Sequence, residues 1–315
     1  MSFRLVPDQT KIPFMSFRKI AVIFSGVLAL LSVVLLPTKG LNLGIDFAGG
    51  TMTEVRMPGD AADIGAMRTT LNDLDLGEVT LQTFGEDTDV LIRVERQEGD
   101  EAGQVTAVEQ QIKQALGEHF GEGIEYRRTE FVSPTVSSEL YWASAEAILF
   151  ALIAILAYIW FRFEWQFAVG SIVALVHDVV LTLGVFSLLG LEFNLATVAA
   201  LLTIVGYSLN DTVVVFDRVR ENLRKYKKML LPDLLDRSLN DTLARTLMTS
   251  VTTLLALAAL FIFGGPVIRD FTFALIWGVL IGTYSSIFIA SPILLSLNLR
   301  ADQVALPSAA ENATP

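Results

Sequence analysis

Residues 192–224 read EFNLATVAALLTIVGYSLNDTVVVFDRVRENLR. The part from 195 to 217 is long and apolar enough to cross a bilayer, which takes about 20 residues. Asn210 and Asp211 interrupt it, and bases follow at Arg218, Arg220 and Arg224. An ionisable side chain inside a span costs about 2.5–3.5 kcal/mol on insertion scales, so it marks a pathway by default. The stretch therefore predicts a membrane helix with chemistry in its cytoplasmic half.

Five more apolar runs lie at 20–36, 143–161, 167–189, 243–263 and 271–296. With 52% apolar residues and a mean hydropathy of +0.53, the chain is too apolar for an ordinary soluble domain. The first run follows Lys11, Arg18 and Lys19, as a signal peptide would. It is long for that role and ends in Pro37-Thr38-Lys39 without a small-x-small cleavage site, so it is read as an uncleaved span, 20–37. Arg218, Arg220, Arg224, Lys225, Lys227, Lys228 and Arg237 fall in a stretch, 218–240, read as a loop between the fourth and fifth spans. The positive-inside rule makes that loop cytoplasmic. Lys11, Arg18, Lys19, Arg162 and Arg300 then share its side, with a cytoplasmic N-terminus at 1–19, spans two to six in 141–297, and a polar, disordered cytoplasmic tail at 298–315. Cysteine is absent, which excludes disulfides, thiolate catalysis and Cys-based metal sites. The net charge of −11 arises largely from acids crowded into 46–139.

Those acids belong to a separate outer domain at 38–140, where the hydrophobic period alternates between two and 3.6. Strands are predicted at 51–57, 78–84, 89–95 and 124–131. A helix over 60–74 aligns Ile64, Met67, Leu71 and Leu74, with Asp60 and Asp63 suited to its start. Another over 102–120 aligns Val105, Val108, Ile112, Leu116 and Phe120. The order βαββαβ fits a ferredoxin-like α+β sandwich. The Gly cluster at 44–50 reads as a bend between span and domain.

Three places carry ionisable groups inside spans: His177-Asp178, Asn210-Asp211 and Arg245. At a rise of about 1.5 Å per residue, Asp211 sits roughly 9 Å inside a span ending at Asp217. Arg245, with its long side chain, reaches a similar depth from the neighbouring antiparallel helix. Thr242, Thr246, Thr249, Ser250 and Thr253 form a polar stripe beside it, and Tyr207 and Ser208 lie one turn from Asp211. Asp211 and Arg245 are thus the candidate proton-translocating pair. His177, Asp178, Tyr207, Asn210, Thr246 and Thr249 are candidate relay or supporting residues. Beside Arg245 the carboxylate stays ionised; separated and desolvated, it takes up a proton. A static buried pair that fixes helix register is the competing reading of Asp211 and Arg245, and His177-Asp178 reads equally as a structural pair. Asp217 and Arg218 read as an interfacial charge pair, Asn240-Asp241-Thr242 as a helix-start signal, and His119 as the end of an exposed helix. Gly278, Gly282, Ser286 and Ala290, four apart, read as a close-packing face. The basic loop, explained by topology, could also meet anionic lipid or a cytoplasmic partner.

At this point the chain resembles the SecD/SecF family of protein-export membrane subunits, a branch of the resistance-nodulation-division superfamily. The likeness rests on GIDFAGGT (44–51), VSPTVSSEL (132–140), His177-Asp178, the whole of 192–224, LNDTLARTLMTSVTTLLAL (239–257) and FALIWGVLIGTYSSIFIASPIL (273–294). It implies a six-helix bundle paired pseudosymmetrically with that of SecD, a bacterial inner-membrane location, and a periplasmic α+β domain. It further implies use of the proton-motive force to help secreted polypeptides leave the SecYEG channel, in company with YajC or YidC. The family's key Asp and Arg match Asp211 and Arg245. Membrane lipid is the other contact implied; no cofactor, metal or nucleic acid is.

Two other classes compete. Small-molecule efflux within the same superfamily calls for larger exterior domains than about a hundred residues. An intramembrane aspartyl protease needs Asp178 and Asp211 to share a proton. No GxGD-type setting, HExxH, GxSxG or Walker loop accompanies them, so no hydrolytic activity is expected.

Overall fold

The computed structural model describes residues 10–74, 76–77, 79–94, 102–297 and 299, with backbone alone at 102–105 and 266. Expectations for the tail at 298–315, for the first nine residues, for Glu78 and Glu95 at strand ends and for the Val105 side chain fall outside these, Leu299 excepted.

Six candidate spans dominate the described residues. They are α1 (Phe14–Thr38), α5 (Pro134–Arg162), α6 (Trp165–Leu189), α7 (Leu195–Lys225), α8 (Leu231–Phe263), and α9 (Arg269–Ser285). The last runs on through a π-helical turn, Ser286–Ala290, into α10 (Ser291–Ser296). Pro292 explains the turn. Proline lacks an N–H and crowds the carbonyl four residues back, so a wider helix absorbs it. Half of each most apolar window in α6, α7 and the α9–α10 span is buried, against 6–17% in α1, α5 and α8, so the first three form the centre. Phe161 (95% exposed), Phe263 (86%) and Ile20 (70%) on the outer helices suit a hydrocarbon surrounding.

Small residues set how closely the central helices approach. A Cβ at Gly278 would lie 2.2 Å from Ile204 Cγ1, and one at Gly282 would lie 3.0 Å from Ser208 Cβ. Ser286 hydrogen-bonds Thr212 at 2.8 Å. Three of the four residues in that predicted face therefore meet α7. Past the π turn the face swings to α6, where a Cβ on Gly170 would lie 3.2 Å from the Ala290 carbonyl.

Between α1 and α5 come β1 (Asn42–Leu43), α2 (Ile45–Ala48), β2 (Gly50–Arg56), α3 (Ile64–Asn72), β3 (Val79–Phe84), β4 (Glu86–Val94), α4 (Ala102–Phe120) and β5 (Glu125–Val132). Gly49 and Gly50 turn the chain from α2 into β2 at φ of 72° and 101°, where other residues are strained. The sheet order β3-β4-β2-β5, antiparallel throughout, is that of the expected ferredoxin-like sandwich. Asp63 caps α3 by accepting from Ala66 N at 2.9 Å. Met67, Leu71, Ile112 and Leu116 are fully buried against Val90 and Ile92 of the sheet, each worth about 1.5–3 kcal/mol in burial.

A two-stranded parallel ribbon ties this domain to the bundle. It pairs β1 with β6 (Glu192–Phe193), between α6 and α7. Arg93 of β4 donates to the Leu43 carbonyl at 2.8 Å and to Asn42 Oδ1 at 3.4 Å, and lies 3.4 Å from Glu192. Asp270 accepts from Glu192 N, and Asp46 from Leu195 N. The domain thus stands at the end of the bundle opposite the basic residues.

Three expectations are corrected at that basic end. The stretch 218–240 is helical except for 226–230: α7 runs on to Lys225 and α8 starts at Leu231, with Pro232 and Asp233 in its first turn. Both helices outlast their apolar stretches, because charged residues continue a helix beyond hydrocarbon. Asn240-Asp241-Thr242 consequently lies inside α8 and does not start it. Asn240 grips both backbone groups of Ile12 at 2.9 Å, and Asp236 accepts from Met15 N at 2.8 Å. Finally, Asp217 and Arg218 do not pair with each other. Arg218 reaches Glu221 and Asp241, and Asp217 stands 4.0 Å from Arg162.

Candidate functional site

A capping box of Asn194 and Thr197 opens α7, whose buried face runs Leu201, Ile204, Val205, Ser208, Asp211, Thr212 and Val215. Asp211 falls on the edge of that face nearest α8 and is 6% exposed. Its Oδ1 accepts the Thr246 hydroxyl at 2.7 Å. Oδ2 is buried without a hydrogen-bond partner among the described residues. A buried carboxylate with one donor is an expensive group, and such groups cluster where function requires them.

Arg245, beside Thr246 in sequence, lies on the exposed side of α8. Among the described residues it forms no ion pair, with Asp211 or with any other acid. The structure thus sets the helix of Arg245 against Asp211, but the direct contact belongs to Thr246. Ser250, one turn along α8, bridges Tyr207 at 3.4 Å and Thr283 of α9 at 2.7 Å. Thr249 bonds back to the carbonyls of Arg245 and Thr246 and stays exposed. Asn210 is exposed on α7, and its side chain makes no hydrogen bond among the described residues.

His177 and Asp178 build a second polar centre on the other side of α7. Asp178 is wholly buried. One of its oxygens meets His177 Nδ1 at 3.0 Å, and the other accepts from Ser208 at 2.6 Å and Ser285 at 2.8 Å. The ring of His177 stacks on Tyr284, with centroids 6.3 Å apart. The Tyr284 hydroxyl donates to the Ala21 carbonyl at 3.0 Å and lies 2.8 Å from Ser25 on α1. The carboxylate joins three spans, α6, α7 and α9, and the Tyr284 hydroxyl ties α1 to them. No hydrogen bond among the described residues connects Asp178 with Asp211, since each is engaged by its own hydroxyls. The shared-proton geometry of an aspartyl protease is therefore not formed here.

Ser285, Thr283, Tyr284 and Ser25 were missed in the sequence. The run GTYSS at 282–286 held the signal, yet hydroxyls in apolar helices commonly bond their own preceding carbonyls. Thr283 does both.

Known proteins agree with this architecture. Residues 111–300 match the family model described as protein export membrane protein SecD/SecF, C-terminal, and residues 34–57 match the SecD/SecF GG motif. The protein translocase subunit SecF of Rickettsia rickettsii (strain Sheila Smith) is 47% identical over 291 residues, covering 92% of this chain and 93% of that protein. The crystal structure of SecDF, a translocon-associated membrane protein from Thermus thermophilus, superposes with a TM-score of 0.82 at 35% identity over 92% of this chain. A SecDF crystal structure in a super-membrane-facing form gives 0.66 at 32% identity over 94%. This chain spans 39% and 40% of those two longer proteins. It is a multi-pass membrane protein, and it belongs to the SecD/SecF protein-export family, on the SecF side of it.

Proposed function

We propose that the chain pairs with a SecD-type partner in a bacterial inner membrane, and that the pair uses inward proton flow to draw polypeptides from the SecYEG channel at a late, periplasmic stage. YajC or YidC would be associated. The basic end faces the cytoplasm and the α+β domain the periplasm, in line with the positive-inside rule. One observation carries the reading: Asp211 is buried, half-satisfied, and borders a membrane-level face that lacks a neighbour among the described residues. On α7 that face consists of Ala199, Thr203, Gly206 and Asn210, and on α8 of Arg245, Thr249, Thr252 and Ala256. Small and hydroxyl residues are what packed membrane helices present to each other, and an arginine facing lipid at that depth is costly. A second bundle seated there encloses Arg245 and brings its charge to bear on Asp211. Relative movement of the bundles then alternates the carboxylate between an ionised state beside Arg245 and a protonated state away from it. Each charge crossing 100 mV supplies about 2.3 kcal/mol, sufficient to bias a domain movement of a few kcal/mol.

The test uses the assembled complex in vesicles carrying a proton-motive force. Asp211→Asn and Arg245→Met are expected to assemble normally and to lose the force-dependent stimulation of late export. Full stimulation by either assembled variant overturns the assignment.

A further inference from the structure

We propose that a cleft at the basic end of the bundle, between the end of α5 and the end of α7, binds the phosphate of an anionic phospholipid headgroup. The cleft is open to one side, has a volume of about 640 Å³ and is lined by Arg162, Asp217, Arg220, Glu221, Arg224 and Lys225, four bases against two acids. Positive-inside topology accounts for bases at this end, but not for their arrangement. The guanidiniums of Arg162 and Arg220 both lie over the ring of Phe163, at 5.1 and 5.8 Å from its centroid, and Phe163 is buried. Two like charges are thus held around one ring in a fixed place.

Their carboxylate neighbours are too far away for good hydrogen bonds. Asp217 stands 4.0 Å from Arg162, and Glu164 stands 3.7 Å from Arg220. Charge-assisted N–H···O bonds close to about 2.7–2.9 Å. Arg220 Nε is buried and has no partner among the described residues. Glu221, the other acid on the rim, is already engaged by Arg218 at 2.5 Å. Arg162 and Arg220 thus line the cleft with no acid at hydrogen-bond distance, and a guanidinium's fork matches a phosphate's oxygens.

The surroundings select a lipid as the source. Trp160, Phe161 and Trp165, on the same helix ends, are 68%, 95% and 52% exposed. Aromatic side chains of this kind settle at headgroup level, and basic pockets between spans on the cytoplasmic side hold anionic headgroups.

The experiment is a thermal-unfolding titration of the full chain in neutral detergent, with dioctanoyl-phosphatidylglycerol, dioctanoyl-phosphatidylcholine or inorganic phosphate. Only phosphatidylglycerol is expected to raise the midpoint saturably. Arg162→Gln with Arg224→Gln is expected to weaken it about tenfold or more. Arg162→Lys with Arg224→Lys keeps the charge that sets topology but loses the fork, and falls between. Lys227→Gln with Lys228→Gln, outside the cleft, leaves the titration unchanged. The proposal is overturned if the first pair binds like the parent chain or the Lys227/Lys228 pair loses as much. It is overturned equally if inorganic phosphate saturates the site at the concentration the lipid needs.

Discussion

Thr246 donates its hydroxyl to Asp211 at 2.7 Å, and the other oxygen of that carboxylate is buried with no partner among the described residues. A hydrogen bond to a charged acceptor is worth about 1.5–3 kcal/mol. This one exists only while the carboxylate and α8 keep their present distance. Thr246→Val removes the donor and keeps the shape, whereas Thr246→Ser keeps the donor. Under the proposed coupling, Val shifts the pH profile of force-dependent export stimulation and Ser restores it. A purely structural hydroxyl would lower the unfolding midpoint and leave the profile in place.

Two glycines separate packing within the chain from packing against a partner. At Gly184 an added Cβ would lie 2.0 Å from Ser32 Oγ, 2.3 Å from Ser32 Cβ and 2.9 Å from Ser32 Cα. Rotating the serine cannot relieve the last two contacts, so α1 and α6 must move apart. Gly184→Ala is expected to cost about 1–3 kcal/mol, read as a lower unfolding midpoint, and adding Ser32→Ala is not expected to rescue it. At Gly206 a Cβ meets nothing within 4 Å. Gly206→Leu is expected to leave the isolated chain's midpoint unchanged and to abolish co-purification of a SecD-type partner. Retained co-purification would remove this face as the seam.

The α+β domain carries an acid-sensitive cluster. Asp89 is 3% exposed and accepts from Arg56 at 2.6 and 2.9 Å and from Arg127 at 3.0 Å. The Arg56 hydrogen bonds lead the effects that hold its carboxyl below the usual range. A carboxyl depressed in the folded state contributes stability that is fully present above its unfolded value and disappears as pH falls through the folded one. Arg56→Met is therefore expected to lower the unfolding midpoint most near neutrality, and the gap to the parent chain should close in strong acid. A gap independent of pH would mean that Arg56 acts through packing alone.

How much of this was legible depended on what each element needs from its neighbours. The sandwich could be read because alternation in β2 and a 3.6 period in α3 are local properties. The ribbon of β1 and β6 could not, since two-residue strands have no period. Helix ends were misjudged at Leu231 because the apolar run begins later, at Leu243, while Pro232 and Asp233 already start the helix. Asp211 and Asp178 stood out as charges in apolar runs. Their partners depend on helix rotation, which placed Thr246 in contact with Asp211, left Arg245 outside, and turned Ser285 toward Asp178. Rotation of one helix about its axis is set by all its neighbours together, and under the proposed pairing those include a second bundle.

The connection between domain and bundle leads to a less intuitive expectation. Glu192 lies 3.4 Å from Arg93, which alone would favour its ionised form. Burial outweighs that attraction, and the nearby Asp270 and Asp46 carboxylates add to it, so the Glu192 carboxyl is pushed above its ordinary value. A carboxyl raised in the folded state binds its proton more tightly there than in the unfolded chain. Its ionised form then costs stability above the folded value, and the cost vanishes below the unfolded one. Glu192→Gln imitates the neutral form. Although it breaks an ion pair, it is expected to raise the unfolding midpoint at neutral pH, with the gain fading as pH falls from the raised value to the ordinary glutamate value and absent below it. Arg93→Met should do the reverse, because it leaves the buried charge uncompensated and frees the Leu43 carbonyl. If Glu192→Gln lowers the midpoint at neutral pH as much as Arg93→Met does, attraction prevails over burial at this joint, and the ribbon is held by charge.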